Sequence, residues 1–264
     1  MKTFVTAFVS GILTLLCVFT PLASAQATQT QSSAMQRDVS SDALDVASSY
    51  SVPRCGNTGS RVLLSYDDWS YGAPTRMVSQ AKLLKSRGVG AMFFPVQQLN
   101  INYQNANGVN LVTQVRDQGQ YVGNHTWSHL KLTNYGTATI KSQIGKGAGG
   151  YKSATSSPGY LRPPYGAYNA TVKNIAESMD YHVCTWTLDT KDYAGKTASQ
   201  ICSYVKANAK PGSVVLMHLQ TKAYDATNCI VNGLRAKGLS LCRPYKVNGV
   251  IARAPIRAPY PLQC

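Results

Sequence analysis

A chain of 264 residues, 44% hydrophobic and 14% charged, can bury the core of one large domain; its composition excludes a disordered or collagen-like polymer. The 26 Lys and Arg outnumber the 11 Asp and Glu for a formal charge of +15, which favours anionic partners. The cations are scattered singly, with no arginine-rich arm or basic helix, so no nucleic-acid partner is expected and an anionic cell-wall polymer is preferred.

Residues 1–25 read as a secretory signal peptide. Lys2 opens the segment, an apolar run extends from Phe4 to Phe19, and Ala23, Ser24 and Ala25 supply small residues for cleavage. The run is shorter than the roughly 20 residues that cross a bilayer, and no later stretch is long and apolar enough. A secreted protein, extracellular or cell-wall associated and without a membrane span, is expected. Residues 26–54 form a polar lead-in rich in Ser, Gln and Ala, and residues 55–264 the folded domain, taken as a monomer. Besides Cys17 in the leader stand Cys55, Cys184, Cys202, Cys229, Cys242 and Cys264, an even set that implies three disulfides in an oxidising compartment. No pair has CxxC spacing, which disfavours a cysteine metal cluster. Cys55 and Cys264 stand where one bridge would fasten both termini.

Residues 61–66 are a short apolar run that predicts a buried strand. Pro74 suits a first helical position, and Met77, Ala81 and Leu84 recur at helical spacing until Arg87-Gly88. A second strand follows over 90–96, a helix around 109–117 closed by Gly119, and a short third strand over 120–123. The rhythm repeats with a helix over 137–147, a short segment at Tyr160-Leu161, and a helix over 168–179 striped by Val172, Ile175, Ala176 and Met179. A strand over 181–188, a helix over 198–209 and a valine-rich strand over 213–217 come next. A helix lined by Ala226, Ile230 and Leu234 precedes a last strand over 240–242. Strands alternating with helices imply a parallel sheet covered by helices. The spacing predicts an α/β fold, a distorted and incomplete (β/α) barrel of about seven strands, with a doubly wound open sheet as the alternative.

Chemistry-bearing residues follow the predicted strands, where parallel α/β folds place their sites. Asp67-Asp68 ends the first strand, His125-Thr-Trp-Ser-His129 follows the third, and Arg162-Pro-Pro-Tyr165 the fourth. Asp189 and Asp192 close the strand through Trp186, and His218 closes the valine-rich one. Histidines four apart can aim two imidazoles at one ion. Asp68 would add an oxygen and leave an open position, as in catalytic zinc sites; a two-histidine, one-carboxylate set also suits non-haem iron. The neighbouring carboxylates diverge on a strand, so Asp67 can face an attacking water while Asp68 holds the metal. Arg162 can pair with Asp67, and His218 can donate a proton with Asp189 as its orienting carboxylate. The bland readings are turn aspartates, hydrogen-bonded histidines and a surface arginine.

Taken together, these loops resemble the polysaccharide deacetylase family, the carbohydrate esterases that share a domain with rhizobial chitooligosaccharide deacetylases. The resemblance spans about residues 61–242 and rests on five motifs in the family's order: Ser65-Tyr-Asp-Asp-Trp69, His125-Thr-Trp-Ser-His129, Arg162-Pro-Pro-Tyr165, Asp189-Thr-Lys-Asp-Tyr193 and Leu216-Met-His218. It implies a distorted (β/α) barrel with Asp67 as general base and one divalent metal on Asp68, His125 and His129. That metal is zinc first, with cobalt or another transition metal as alternatives. Arg162 would hold Asp67, His218 would be the general acid tuned by Asp189, and the backbone at Tyr165 would help to hold the oxyanion.

Two departures stand out. Trp69 replaces a glycine and is expected to line the sugar groove. Tyr193 replaces a tryptophan and keeps an aromatic wall. The function expected is removal of N-acetyl groups from an extracellular, chitin-like polysaccharide or oligosaccharide. An acetylxylan esterase, a peptidoglycan deacetylase and a non-catalytic carbohydrate-binding module are the alternatives. Two glycosylation signals occur: Asn124 adjoins a proposed ligand, and Asn169 is the better acceptor.

Overall fold

The computed structural model describes residues 50–148, 159–244 and Cys264. The leader at 1–25 and the lead-in up to residue 49 lie outside the described residues.

The apolar run after Arg61 forms β1 (Leu63–Asp68), the middle strand of a five-stranded sheet. On one side it pairs with β2 (Ala91–Pro95), which pairs with β3 (Tyr121–Val122). Two shorter segments come next, β4 (Gly159–Leu161) and β5 (Tyr181–Val183), and form a second, two-stranded sheet. Beyond the other side of β1 lie β7 (Val214–His218) and then β6 (Leu188–Asp189). All pairings are parallel, and a bridge from Asn124 to Leu161 ties the small sheet to the end of β3. Seven parallel strands with helices between them are the distorted, incomplete (β/α) barrel that the spacing predicts.

The helices are α1 (Arg76–Ser86), α2 (Gln97–Asn107), α3 (Leu111–Asp117), α4 (Thr137–Ala148), α5 (Ala170–Ser178), α6 (Ala198–Asn208) and α7 (Ala223–Ala236). Six were expected, with ends shifted by a few residues. α2 was not, because its sequence is mostly Gln and Asn; Leu99 and Tyr103 pack partly buried against the core. The strand expected over 181–188 is two strands. At Cys184 the chain still bonds to Leu161 (2.8 Å), but at Thr187 it donates to the Val214 carbonyl (3.0 Å), having changed sheets. The strand expected over 240–242 reduces to a bridge between Val62 and Leu241.

Alternation along the strands sorts side chains into two layers. From β1, Leu64 and Tyr66 enter the large core beneath the helices, with Met77, Leu84 and Ile230. Leu63 points the other way, into a smaller core with Met92, Phe94, Tyr160 and Val214. The next positions on that inner face are Ser65 and Asp67, so the barrel interior passes from apolar to polar along its own axis. Gly123 keeps this layer closed, because a Cβ there would collide with the Phe94 ring.

The disulfides are Cys55–Cys184, Cys202–Cys229 and Cys242–Cys264. The expected pairing of Cys55 with Cys264 is therefore wrong. Cys55 instead fastens the entry of the domain to the end of β5, and Cys264 returns to the segment that bridges β1. Among the described residues, no helix is long and apolar enough to cross a membrane.

Candidate active site

The sheet delivers the site residues to one end. β1 and β7 run in register, with Asp67 beside His218. A cavity of about 520 Å³ opens there, walled by Asp67, Asp68, His125, His129 and His218 and by the aromatic rings of Tyr165, Trp186 and Tyr193. Four non-glycine residues at this end, Asp68, Thr126, His129 and Tyr165, have φ between 59° and 73°. Left-handed backbone at such residues costs on the order of 1 kcal/mol or more each and collects where geometry matters more than local stability.

Arg162 is fully buried beneath the cavity. Its Nη1 donates to Asp67 Oδ1 and to Ser65 Oγ, both at 2.8 Å, and its Nη2 donates to the Thr185 carbonyl at 2.8 Å. The guanidinium carbon lies 4.2 Å from the centre of the Phe94 ring. A buried cation is tolerable only when paired and bonded in this way. Arg162 and Asp67 form one buried ion pair.

The Arg162 carbonyl also meets His125 Nδ1 at 2.7 Å. A carbonyl can only accept, so Nδ1 carries a proton, and in the neutral imidazole Nε2 keeps a lone pair. That Nε2 lies 3.3 Å from Asp68 Oδ1, and His129 Nε2 lies 3.1 Å from the same oxygen. Among the described residues, Asp68 Oδ1 is buried and makes no hydrogen bond, while Oδ2 accepts from Gln220 Nε2 at 2.9 Å. Potential ligand atoms of Asp68, His125 and His129 lie within 4.8 Å of one another. Two imidazole nitrogens and an orphaned carboxylate oxygen facing one point fit a divalent cation.

His218 has a different partner from the one expected. Its Nδ1 lies 2.8 Å from Asp192 Oδ1, and its backbone N–H donates to Asp192 Oδ2 at 2.7 Å. Thr221 Oγ1 donates to Asp192 Oδ2 as well, at 2.6 Å. Asp189, the expected orienting carboxylate, stays on the cavity wall, where it accepts from Lys191 N (2.8 Å) and Tyr193 Oη (3.4 Å). β6 ends at Asp189, and the left-handed turn at Lys191 (φ 51°) brings Asp192 beneath His218. Burial would lower the His218 pKa, yet the Asp192 bond and the charge of Asp67 raise it to about 9.

Trp69 does not line the groove. It is 4% exposed and packs into the main core, its ring 6.2 Å from that of Tyr103. Tyr165 and Tyr193 do stand on the cavity, 67% and 58% exposed. The wall residue that sequence reasoning missed is Trp186. A Cβ on Gly166 would meet its ring at 2.5 Å, so glycine is required for the Tyr165 turn to sit against it. Asn124 is buried, donating to the Ile144 carbonyl, and is closed to modification; Asn169 is exposed and caps α5.

Residues 56–184 match the family model described as polysaccharide deacetylase. The chain is 34% identical over 173 residues to the peptidoglycan-N-acetylglucosamine deacetylase PgdA of Listeria monocytogenes, covering 63% of this chain and 34% of that protein. It is 30% identical over 188 residues to a chitin deacetylase of Pestalotiopsis, covering 67% of this chain and 60% of that one. The chain thus spans about a third of the Listeria protein's length. Among solved structures, a family 4 carbohydrate esterase from Streptomyces lividans superposes with a TM-score of 0.59 at 26% identity, over 75% of this chain and 99% of its own. With the motifs, the barrel and the grouped side chains agreeing, the chain carries a domain of the polysaccharide deacetylase family.

Proposed function

We propose that the chain is a secreted, metal-dependent hydrolase that removes N-acetyl groups from N-acetylglucosamine units of an extracellular polysaccharide, with peptidoglycan as the first substrate. The observation that carries the reaction is the grouping of Asp67, the Asp68–His125–His129 set and His218 around one cavity. The similarity to the Listeria enzyme moves peptidoglycan ahead of the chitin-like substrate that the sequence alone suggested. The Pestalotiopsis relative keeps chitin oligomers as the second reading.

Zinc suits the mixed nitrogen and oxygen donors of Asp68, His125 and His129. When bound there, a divalent cation supplies Lewis-acid polarisation of the acetyl carbonyl and a lower pKa for water. The chain's own residues do the rest. Asp67, held by Arg162, takes a proton from the attacking water. The backbone at Tyr165 is the proposed donor to the oxyanion. His218, held in one tautomer by Asp192, gives its Nε2 proton to the amine as the carbon–nitrogen bond breaks and acetate leaves. Amines leave poorly unless protonated, so an ester substrate depends on His218 less. Trp186, Tyr165 and Tyr193 offer flat apolar faces to a pyranose ring, and Asp189 an acceptor for its hydroxyls.

Acetate release tests the reading. Peptidoglycan fragments, chitin oligomers and acetylxylan are compared before and after chelation. Release from peptidoglycan that stops on chelation and returns with zinc is the expected result. Bound metal without release from any of the three would favour the binding-module alternative.

A further inference from the structure

The other end of the barrel carries a cavity of about 300 Å³ lined by Arg61, Arg235 and Arg243 with Gly88, Gly238 and Ser240. Arg61 precedes β1 and Asp67-Asp68 end it, so the two cavities stand about 20 Å apart along the strand. Guanidinium groups that share a cavity repel one another unless an anion lies between them. Among the described residues, the arginine and lysine ion pairs are Arg162–Asp67, Lys173–Glu177 and Lys222–Asp225, so no carboxylate pairs with these three. Residues 245–263 contain Lys246, Arg253 and Arg257 and no acid, so the sequence that follows offers no side-chain counter-charge either.

Two of the three arginines are also held in place. Arg61 Nη1 donates to the Leu241 carbonyl at 3.1 Å, and Arg235 Nη2 to the Arg87 carbonyl at 2.6 Å. Each bond uses one of the five N–H groups of a guanidinium, which leaves donors for a ligand. Arg87 precedes Gly88 of the cavity wall and is not itself part of the lining. Its Nη2 donates to Asn232, one helical turn before Arg235, and its Nε is buried with no partner among the described residues. The Cys242–Cys264 disulfide anchors the segment that presents Arg243. Guanidinium forks that line one cavity without an acid match an oxyanion with several acceptor oxygens, and phosphate takes such forks two bonds at a time. Arg235 and Arg243 are exposed at the rim, so a phosphate that belongs to a longer chain can enter.

We propose that this cavity is a phosphate-binding site that holds a phosphodiester of an anionic polymer, at the end of the barrel opposite the acidic pocket. The proposal does not rest on the hydrolytic reading. Its test is calorimetric titration of the full chain at low salt with inorganic phosphate and with glycerol-phosphate oligomers. The comparison is between wild type, R61Q/R243Q and the charge-matched surface control K82Q/K141Q. One phosphate per chain is expected. Affinity should fall at least tenfold in R61Q/R243Q and less than twofold in the control, and the oligomer should bind more tightly than phosphate with the same losses. R243Q alone, at an exposed position, serves if the double variant unfolds, and should show a severalfold loss with an unchanged melting temperature. Equal losses in the two double variants, or no wild-type binding of either probe, would overturn the site. An oligomer no tighter than free phosphate would overturn the polymer as its ligand.

Discussion

Asp192 grips His218 at two points, the imidazole Nδ1 through Oδ1 (2.8 Å) and the backbone N–H through Oδ2 (2.7 Å). The ring is thereby fixed in both tautomer and direction, and its Nε2 is the nitrogen left for the cavity. Asp189, three residues earlier, makes neither contact.

A pH prediction follows from this grip. Burial alone would lower the His218 pKa, but Asp192 and the charge of Asp67 carry it to about 9. A general acid works while protonated, so deacetylation should fall as pH rises through that value. Asp192→Asn removes a raising contribution and should shift the alkaline limb to lower pH; Asp189→Asn should shift it less. Equal shifts in the two pH–rate profiles would reject Asp192 as the tuning residue. The same bond has a stability counterpart. A folded pKa above the ordinary value near 6.5 adds stability at acid pH that is lost as pH climbs towards about 9.

Arg162 should matter for folding as well as for chemistry. Removing one member of a buried pair leaves the other uncompensated, at a cost of roughly 3–5 kcal/mol. Arg162→Ala should therefore lower the melting temperature by many degrees. The less buried partner of a surface pair, as in Lys173→Ala, should change it little. A melting temperature for Arg162→Ala within a degree of wild type would show that the buried pair contributes nothing net.

The two tryptophans separate packing from binding. Trp69→Ala opens a hole in the core and should cost about 3–5 kcal/mol of stability, with KM little changed in the variant that remains folded. Trp186→Ala removes a wall of the cavity and should raise KM several-fold. Kinetics and thermal unfolding of both variants give the answer, and the reverse pattern would return Trp69 to the groove.

Much of this was legible in the sequence. β1 and β7 read clearly because each is an apolar run that ends abruptly in the residues that do chemistry, Asp67-Asp68 and His218. Their meeting could not be read from spacing, since it depends on sheet order; β7 is far along the chain yet pairs directly with β1. α2 was missed because Gln97–Asn107 lacks an apolar stripe and is helical largely through its packing on the core. Asp189 and Asp192 follow the same strand, and only the turn at Lys191, invisible to spacing, decides which carboxylate faces His218. The place of Trp69 after two site residues suggests the groove, but the positive φ at Asp68 turns the chain and sends the indole into the core. Trp186 lay inside a stretch read as one strand, and the change of sheet between Cys184 and Thr187 is what places it on the wall.

The account depends most on one cation being held by Asp68, His125 and His129 while Asp67 acts as base beside it. The most direct measurement is zinc titration of the chelated protein, following bound metal and acetate release together in wild type, Asp68→Ala and Asp67→Asn. One zinc per wild-type chain should restore release with the same midpoint as binding. Asp68→Ala should lose both, and Asp67→Asn should bind zinc yet release almost no acetate. Release that persists after complete chelation, or wild-type rates in Asp67→Asn, would contradict the account.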